Sequence, residues 1–274
     1  MNLQKLKPQN NPEVYLKKHP HLNSALSALR TVCIGDSITF GKVSANYVKI
    51  LERRFIEHAI PMDFINAGIN GDLAYNIVQR LDPIIACQPH FVTILIGTND
   101  ISAIMIARMN TPQALTFIRN MHLPQSPTTE WASEMVKTII HRLQTETHAK
   151  LALLSIPPIG ENPEEYTFQQ SVGYAEVLRG IAASTAVPYL PLQEQMVDIL
   201  KISPSTNAQP YEKAIQVAQK AVFLHLLLRR SWNAVGKRSG FQFHSDHFHL
   251  NENGANMVAD LIDQFITQNL PIYS

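Results

Sequence analysis

The chain has 274 residues, 45% of them hydrophobic and 16% charged, and its net charge is +1. This length and composition predict one domain over residues 1–274, because the chain can bury a sizeable core and contains no low-complexity linker. The balanced charge, without a block of like charge, argues against a nucleic-acid partner. The two cysteines, Cys33 and Cys87, are too few for a disulfide framework.

Neither the amino terminus nor the longest apolar run has the features of a membrane segment. Residues 1–20 contain lysines but no continuous apolar stretch of the kind that a signal peptide needs. The run AVFLHLLL at 221–228 is interrupted by His225 and is far shorter than the ~20 apolar residues that span a bilayer. We therefore expect a soluble, cytoplasmic protein without a transmembrane segment.

Short apolar runs alternate with helical patterns along the chain. Five strands are predicted, at 30–35, 62–66, 90–97, 150–156 and 187–190. Helices are predicted over about 44–59, 129–148 (capped by Thr128 or Thr129) and 164–185, and a final amphipathic helix follows Asn251 or Asn253. Because the strands are apolar along their length, they predict an α/β fold whose parallel sheet is covered by helices on both faces.

Residues 191–245 are more than a closing strand–helix unit requires. We predict that they form a helical insertion over or beside the functional site. Within it, residues 208–231 are predicted to form an amphipathic helix whose apolar positions are Ile215, Ala218, Val222 and Leu226.

Polar, glycine-containing turns follow the first three predicted strands: GDS, NAGINGD and GTND. These turns converge on one edge of a parallel sheet, where sites of such folds form. Ser37 in the first turn is either a helix N-cap or a nucleophile. The backbone N–H of Gly71 and the side-chain amide of Asn99 are candidate donors to an oxyanion, although each segment could also be a simple turn.

A nucleophilic serine needs a base and a group that orients the base. The late segment HSDHFHLN places Asp246 three residues before His249, on the loop before the final helix. His249 is therefore the candidate base, and His247 and His244 compete with it by position. A metal site and a plain polar loop are the alternatives, but the order of these residues matches neither H-E-x-x-H nor a Cys/His zinc spacing.

The motifs GDSITFG, NAGINGD, GTND and Asp-x-x-His, in this order, resemble the four signature blocks of the SGNH hydrolases, also called GDSL esterases and lipases. The resemblance implies that Ser37 is the nucleophile and that Asp246 and His249 complete the triad. It implies an oxyanion hole formed by the Ser37 backbone N–H, Gly71 and Asn99. It also implies a three-layer α/β/α sandwich, similar to flavodoxin, with a mostly parallel sheet of about five strands.

We accordingly expect a serine hydrolase that cleaves a small-molecule acyl ester through an acyl-enzyme, without a metal or an organic cofactor. Within the same family, a thioesterase or a carbohydrate deacetylase is the alternative. From another class, the chain could be an inactive binding protein on this scaffold. The late apolar end of 208–231, with Phe223, Leu227 and Leu228, either packs on the sheet or helps to form the wall of an acyl pocket.

Overall fold

The computed structural model describes residues 7–20, 29–205 and 207–270. Its centre is a five-stranded parallel sheet in the order β2-β1-β3-β4-β5. The strands are β1 Leu29–Gly35, β2 Met62–Gly68, β3 Phe91–Leu95, β4 Lys150–Leu154 and β5 Tyr189–Leu190. All five predicted strands are therefore present, with boundaries that differ from the prediction by at most two residues.

Helices cover both faces of the sheet. They are α1 Pro12–Lys18, α2 Ser37–Phe40, α3 Tyr47–Glu57, α4 Ala74–Val78, α5 Leu81–Ala86, α6 Thr98–Arg108, α7 Pro112–Asn120, α8 Thr129–Glu146, α9 Tyr166–Ser184, α10 Leu192–Ile202, α11 Ala214–Leu226, α12 Trp232–Arg238 and α13 Glu252–Gln268. Helices α1, α4, α5, α6, α8 and α9 pack around one face, and α3, α10, α11, α12 and α13 around the other. The predicted α/β/α sandwich is confirmed.

The strands are apolar along their length because successive side chains enter opposite cores. In β1, Val32 and Ile34 belong to the core beneath α8 and α9, whereas Cys33 belongs to the core beneath α3 and α13. All three side chains are fully buried. Burial on both faces excludes the polar alternation of a half-exposed strand, so the sequence shows continuous apolar runs.

Cap residues fix where the predicted helices begin. Asn46 accepts a hydrogen bond from the Lys49 N–H, so α3 begins at Tyr47. Thr128 caps α8 and Asn251 caps α13, which decides between the two candidates that the sequence left open for each helix. Such side chains accept hydrogen bonds from N–H groups that have no partner within the helix.

The helix predicted over 208–231 is shorter than expected, and its buried face is different. A 3₁₀ turn, Tyr211–Lys213, precedes α11. The buried positions of α11 are Ala214, Val217, Ala221 and Leu224, whereas Ile215 and Leu226 are exposed. The predicted apolar stripe was wrong because α11 carries apolar residues on both of its faces, and helical spacing alone cannot select the face that packs.

The register of the sheet brings the ends of its central strands together. Gly35 at the end of β1 is paired with Gly68 of β2 on one side and with Leu95 of β3 on the other. The three polar turns therefore start side by side, at the point where the strand order reverses between β1 and β3. In open parallel sheets this crevice is where ligands bind.

Candidate active site

Ser37 is the first residue of the short helix α2, directly after β1. Its neighbour Asp36 caps this helix by accepting a hydrogen bond from the Ile38 N–H at 2.9 Å. The N–H of Ser37 has no acceptor within the helix, because the first N–H groups of any helix lack one. Ser37 is therefore not the cap, and its hydroxyl and its N–H are both available to a ligand.

The turn from β1 to α2 is tight, and glycine makes it possible. A Cβ atom on Gly35 would collide with the side chain of Thr39 and with the carbonyl of Leu95. The close approach of α2 to the ends of β1 and β3 therefore requires a residue without a side chain at this position.

The hydroxyl of Ser37 lies beside the imidazole of His249. Ser37 Oγ is 3.0 Å from His249 Nε2, and His249 Nδ1 is 2.9 Å from Asp246 Oδ2. Asp246 is almost fully buried, and its other oxygen accepts hydrogen bonds from the N–H groups of Phe248 and His249 at 2.8 Å. The carboxylate thereby fixes the loop and the ring together, and the three side chains have the arrangement of a serine–histidine–aspartate triad.

His249 and Asp246 shift each other's pKa in opposite directions. Burial alone lowers the pKa of His249, but the charge of Asp246 and the hydrogen bond to it outweigh burial, so the pKa is raised. Burial alone raises the pKa of Asp246, but the charge of His249 and three hydrogen bonds outweigh it, so this pKa is lowered. The pair therefore stabilises a carboxylate next to an imidazolium, the state that forms when His249 takes a proton.

Gly71 lies on the turn that follows β2, and Asn99 lies in the first turn of α6, shortly after β3. Gly71 is exposed and has a φ of +78°, and within the described residues its N–H has no hydrogen-bond partner. The amide nitrogen of Asn99 donates to the Asp72 carbonyl at 3.0 Å and makes a longer contact of 3.4 Å with Asp36 Oδ2. The first of these bonds holds the amide in place beside the turn that carries Gly71.

Two buried carboxyl groups support these turns. Both oxygens of Asp100 accept the N–H of Ala74, at 3.1 and 3.2 Å, which ties the start of α4 to the start of α6. Burial is the main cause that raises the pKa of Asp36 and of Asp100 to about 7. Burial therefore favours the neutral form of each carboxyl group more than water would.

A family model described as the GDSL-like lipase/acylhydrolase family matches residues 33–257. The match includes all four turns and loops described above. The chain belongs to the GDSL-like lipase/acylhydrolase family. It is an ester hydrolase of the SGNH type, and the family resemblance predicted from the four motifs is confirmed.

Solved structures with the same fold are similar to this GDSL-like hydrolase over most of its length. The acetyl xylan esterase AlAXEase is 16% identical with a TM-score of 0.59, covering 87% of this chain and 100% of that one. Axe2, an acetylxylan esterase from Geobacillus stearothermophilus, is 17% identical with a TM-score of 0.59, over 88% and 94% of the two chains.

LAE5, described as an α/β hydrolase from the metagenome of Lake Arreo, is 15% identical with a TM-score of 0.60. The match covers 88% of this chain and 95% of that one. At these identities the similarity shows a shared fold. A search of curated proteins finds no match.

The two other histidines of the late loop do not reach Ser37. His244 is fully buried, with Nδ1 at 2.8 Å from Glu161 Oε1. His247 is also buried, and its Nε2 lies 2.8 Å from the carbonyl of Gln209. Within the described residues, no three His, Cys, Asp or Glu side chains are grouped as metal ligands would be.

Glu161 is a residue that the sequence analysis missed. It lies on the loop after β4, is almost fully buried, and accepts hydrogen bonds from the backbone N–H groups of Gln242, Phe243 and His244. Burial alone raises its pKa, but the bond to His244 and the other donors outweigh burial and lower it. Glu161 therefore holds, as an anion, the chain segment that leads into Asp246.

Part of the predicted insertion packs behind this loop. The side chain of Ser205 donates to Glu161 at 2.5 Å, and the ring of Tyr211 makes edge contacts with His247 and Phe248, at 5.6 and 5.9 Å between ring centres. The far end of the insertion behaves differently. Phe223, Leu227 and Leu228 are each more than half exposed, so they do not form the wall of a buried acyl pocket.

Arg80 joins two of the turns and was also missed. Its Nε donates to Asp72 Oδ2 at 2.7 Å, and one of its terminal nitrogens donates to the Gly35 carbonyl at 3.2 Å. The turn that carries Gly71 is thus bound to the end of β1, two residues before Ser37. A sequence signal was absent, because Arg80 lies eight residues after Asp72 in a short helical pattern and matches no motif.

Proposed function

We propose that the protein hydrolyses an acyl ester through an acyl-enzyme formed on Ser37. The observation that carries the proposal is the continuous chain of contacts from Ser37 Oγ to His249, at 3.0 Å, and from His249 to Asp246, at 2.9 Å. In this arrangement a serine can lose its proton as it attacks, because the histidine accepts it and the aspartate stabilises the resulting charge.

In the first half of the reaction, Ser37 Oγ bonds to the carbonyl carbon of the ester while its proton moves to His249 Nε2. The tetrahedral intermediate then collapses, the bond to the alcohol oxygen breaks, and the alcohol leaves with the proton from His249. In the second half, a water gives its proton to His249 and attacks the acyl group, and the acid leaves as Ser37 recovers its proton.

The developing oxyanion needs donors that are already in place. We assign this role to the N–H groups of Ser37 and Gly71 and to the side-chain amide of Asn99. Two features support the assignment: the two N–H groups lack partners among the described residues, and the Asn99 amide is held by the Asp72 carbonyl. Preorganised donors stabilise the transition state more than the ground state, since the charge on oxygen is largest there.

Replacement of the nucleophile tests the mechanism. Ser37→Ala should lower kcat for a p-nitrophenyl ester by about 10³-fold or more, because the triad acts as a unit. A fluorophosphonate probe should label the wild type at Ser37 and leave Ser37→Ala unlabelled. Ser133→Ala is the matched control, since Ser133 lies on α8 and only bonds the Thr129 carbonyl.

Normal turnover by Ser37→Ala would overturn the mechanism. An unlabelled wild type without turnover would instead favour the inactive binding protein.

A carbohydrate deacetylase is the second candidate for the substrate class. The observation that favours it is the similarity of the fold to two acetyl xylan esterases. Acetate release from acetylated xylooligosaccharides should be compared with turnover of p-nitrophenyl esters from acetate to decanoate and of an acyl thioester. Acetate release with a higher kcat/KM than the simple esters supports a deacetylase, and preference for the thioester supports a thioesterase.

A further inference from the structure

The end of α11 and the turn after it expose apolar side chains. The apolar patch consists of Ile215, Phe223, Leu226, Leu227 and Leu228, and its most exposed members, Ile215 and Leu227, are 73% and 70% exposed. The buried side chains of α11 lie on the opposite side of the helix: Ala214, Val217, Ala221 and Leu224, of which Ala221 and Leu224 join the core around α3 and α13. The patch is therefore not needed for the core, and a patch of this kind marks an interaction surface.

The surroundings of the apolar patch are strongly basic. Residues 211–240 contain six basic side chains, Lys213, Lys220, Arg229, Arg230, Lys237 and Arg238, against one acidic side chain, Glu212. This segment alone has a net charge of +5, whereas the whole chain has +1, so the remaining residues carry −4. The positive charge is thus concentrated in the segment that carries the apolar patch, and the rest of the chain is net negative.

A surface cavity lies between the apolar patch and two of the basic side chains. It has a volume of about 230 Å³ and is lined by Leu224, Leu228, Arg230, Ala234, Val235 and Arg238. Within the described residues, the guanidinium groups of Arg230 and Arg238 form no ion pair. Two arginines without carboxylate partners beside an exposed leucine are suited to an amphiphile that carries a phosphate group.

We propose that the apolar patch and its basic surroundings dock the protein on an anionic phospholipid surface. The leucines and Phe223 enter the boundary between headgroups and acyl chains, and the arginines and lysines bind the phosphates. An interfacial helix binds through these two contributions together: apolar burial and attraction to anionic lipid. Among the helices that the structure describes, none has the length and hydropathy of a transmembrane span.

Charge favours a lipid surface over a second copy of the chain. In a two-fold dimer each patch meets itself, so the basic side chains of one copy would face those of the other. Like charges that face each other oppose such an interface, and the single negative charge of Glu212 cannot offset six positive charges on each copy. The apolar patch contains a single aromatic side chain, Phe223, whereas single-stranded nucleic acids stack on platforms of several aromatic side chains.

The apolar patch is linked to the loop of His249 through packed elements. The ring of His225, near the end of α11, stacks on Trp232 of α12 with 3.8 Å between ring centres. The N–H groups of Trp232 and Asn233 both donate to the carboxylate of Glu252, the first residue of α13. The apolar patch is therefore connected through packed side chains to the start of α13, which directly follows the loop of His249.

Vesicle binding tests the proposal without reference to catalysis. The full chain should be sedimented with vesicles of phosphatidylcholine alone and with vesicles of equal parts phosphatidylcholine and phosphatidylglycerol. We expect binding to the anionic vesicles and little to the neutral ones. Raising the ionic strength from about 0.1 M to about 1 M should weaken binding, because the screening length falls from about 10 Å to about 3 Å.

Two double variants separate the apolar and basic contributions. Arg230→Gln with Arg238→Gln should lower partitioning on anionic vesicles by about twenty-five-fold, at about five-fold for each charge near the surface. Leu227→Ser with Leu228→Ser should lower it by about ten-fold or more, since each CH₂ contributes up to about four-fold. All four side chains are exposed, so the melting temperature should stay within about 2 °C of the wild type.

Matched controls lie on other surfaces of the chain. Lys17→Gln with Lys18→Gln removes the same charge from the end of α1, and Ile56→Ser removes a side chain of α3 that is 73% exposed. Both should leave vesicle binding within about two-fold of the wild type, because neither side chain belongs to the apolar patch.

Failure to bind anionic vesicles overturns the proposal. So does binding that the control variants reduce as much as the patch variants do. Self-association in analytical ultracentrifugation that Leu227→Ser with Leu228→Ser abolishes, in the absence of vesicle binding, would assign the patch to a second copy. Patch-dependent binding of an oligonucleotide but not of vesicles would assign it to nucleic acid.

Discussion

At the scale of single residues, Asp246 sets both the orientation and the pKa of His249. Replacement by asparagine keeps the size of the side chain but removes its charge. Asp246→Asn should lower kcat by about 10⁴-fold, because the amide favours the wrong tautomer of the imidazole and no longer stabilises its charged form. Steady-state kinetics on a p-nitrophenyl ester measures this loss, and a loss below about ten-fold would contradict the role of Asp246.

The raised pKa of His249 predicts how activity depends on pH. Only the neutral imidazole can accept the proton of Ser37, so kcat/KM should rise with pH through a midpoint above the ordinary histidine value of about 6.5. In Asp246→Asn the protonated imidazole of His249 loses the negative charge that stabilises it most. The residual activity of Asp246→Asn should therefore show a midpoint at lower pH than the wild type. If Asp246→Asn and the wild type have the same midpoint, the group that titrates is not His249.

Asn99 is expected to act on the transition state and not on substrate binding. Asn99→Ala removes one donor to the oxyanion and should lower kcat by about 10²–10³-fold with little change in KM. Asn120→Ala, at the exposed end of α7, is the control. A rise in KM at constant kcat would show that Asn99 binds substrate and transition state equally.

At the scale of elements, the loop before α13 depends on Glu161. Glu161→Gln replaces an anion that accepts three backbone N–H groups, so it should lower the free energy of unfolding by about 3–5 kcal/mol. Urea unfolding measures the loss, and Glu164→Gln, an exposed neighbour, should change it by less than about 0.5 kcal/mol.

The lowered pKa of Glu161 gives this loss a pH dependence. A carboxyl group whose pKa is lowered by folding stabilises the protein fully above its unfolded pKa of about 4.5, and the contribution is lost as the pH falls through the lower folded value. The difference between the wild type and Glu161→Gln should therefore be constant at neutral pH and shrink under acid conditions. A difference that is independent of pH would show that Glu161 acts through packing alone.

At the scale of the whole molecule, the sequence predicts the sheet and its polar edge well, because strands buried on both faces must be continuously apolar. The turns that carry Ser37, Gly71 and Asn99 follow directly from those strands. The exposed face of α11 and the role of Glu161 escaped prediction for physical reasons. Helix α11 is apolar on both faces, so spacing could not show that Ile215 is exposed. Glu161 binds backbone N–H groups 81 to 83 positions away, and backbone donors leave no trace in residue identity.

Ser37 and His249 are hydrogen-bonded although 212 positions separate them in the chain. Closing so long a loop is slow compared with forming helices and local turns, and it requires α13 to pack on α3. During refolding from urea, ester turnover should thus return later than the far-ultraviolet circular dichroism of the helices. Because the two halves of the site are so far apart in the sequence, the recovery of ester hydrolysis reports the last step of folding.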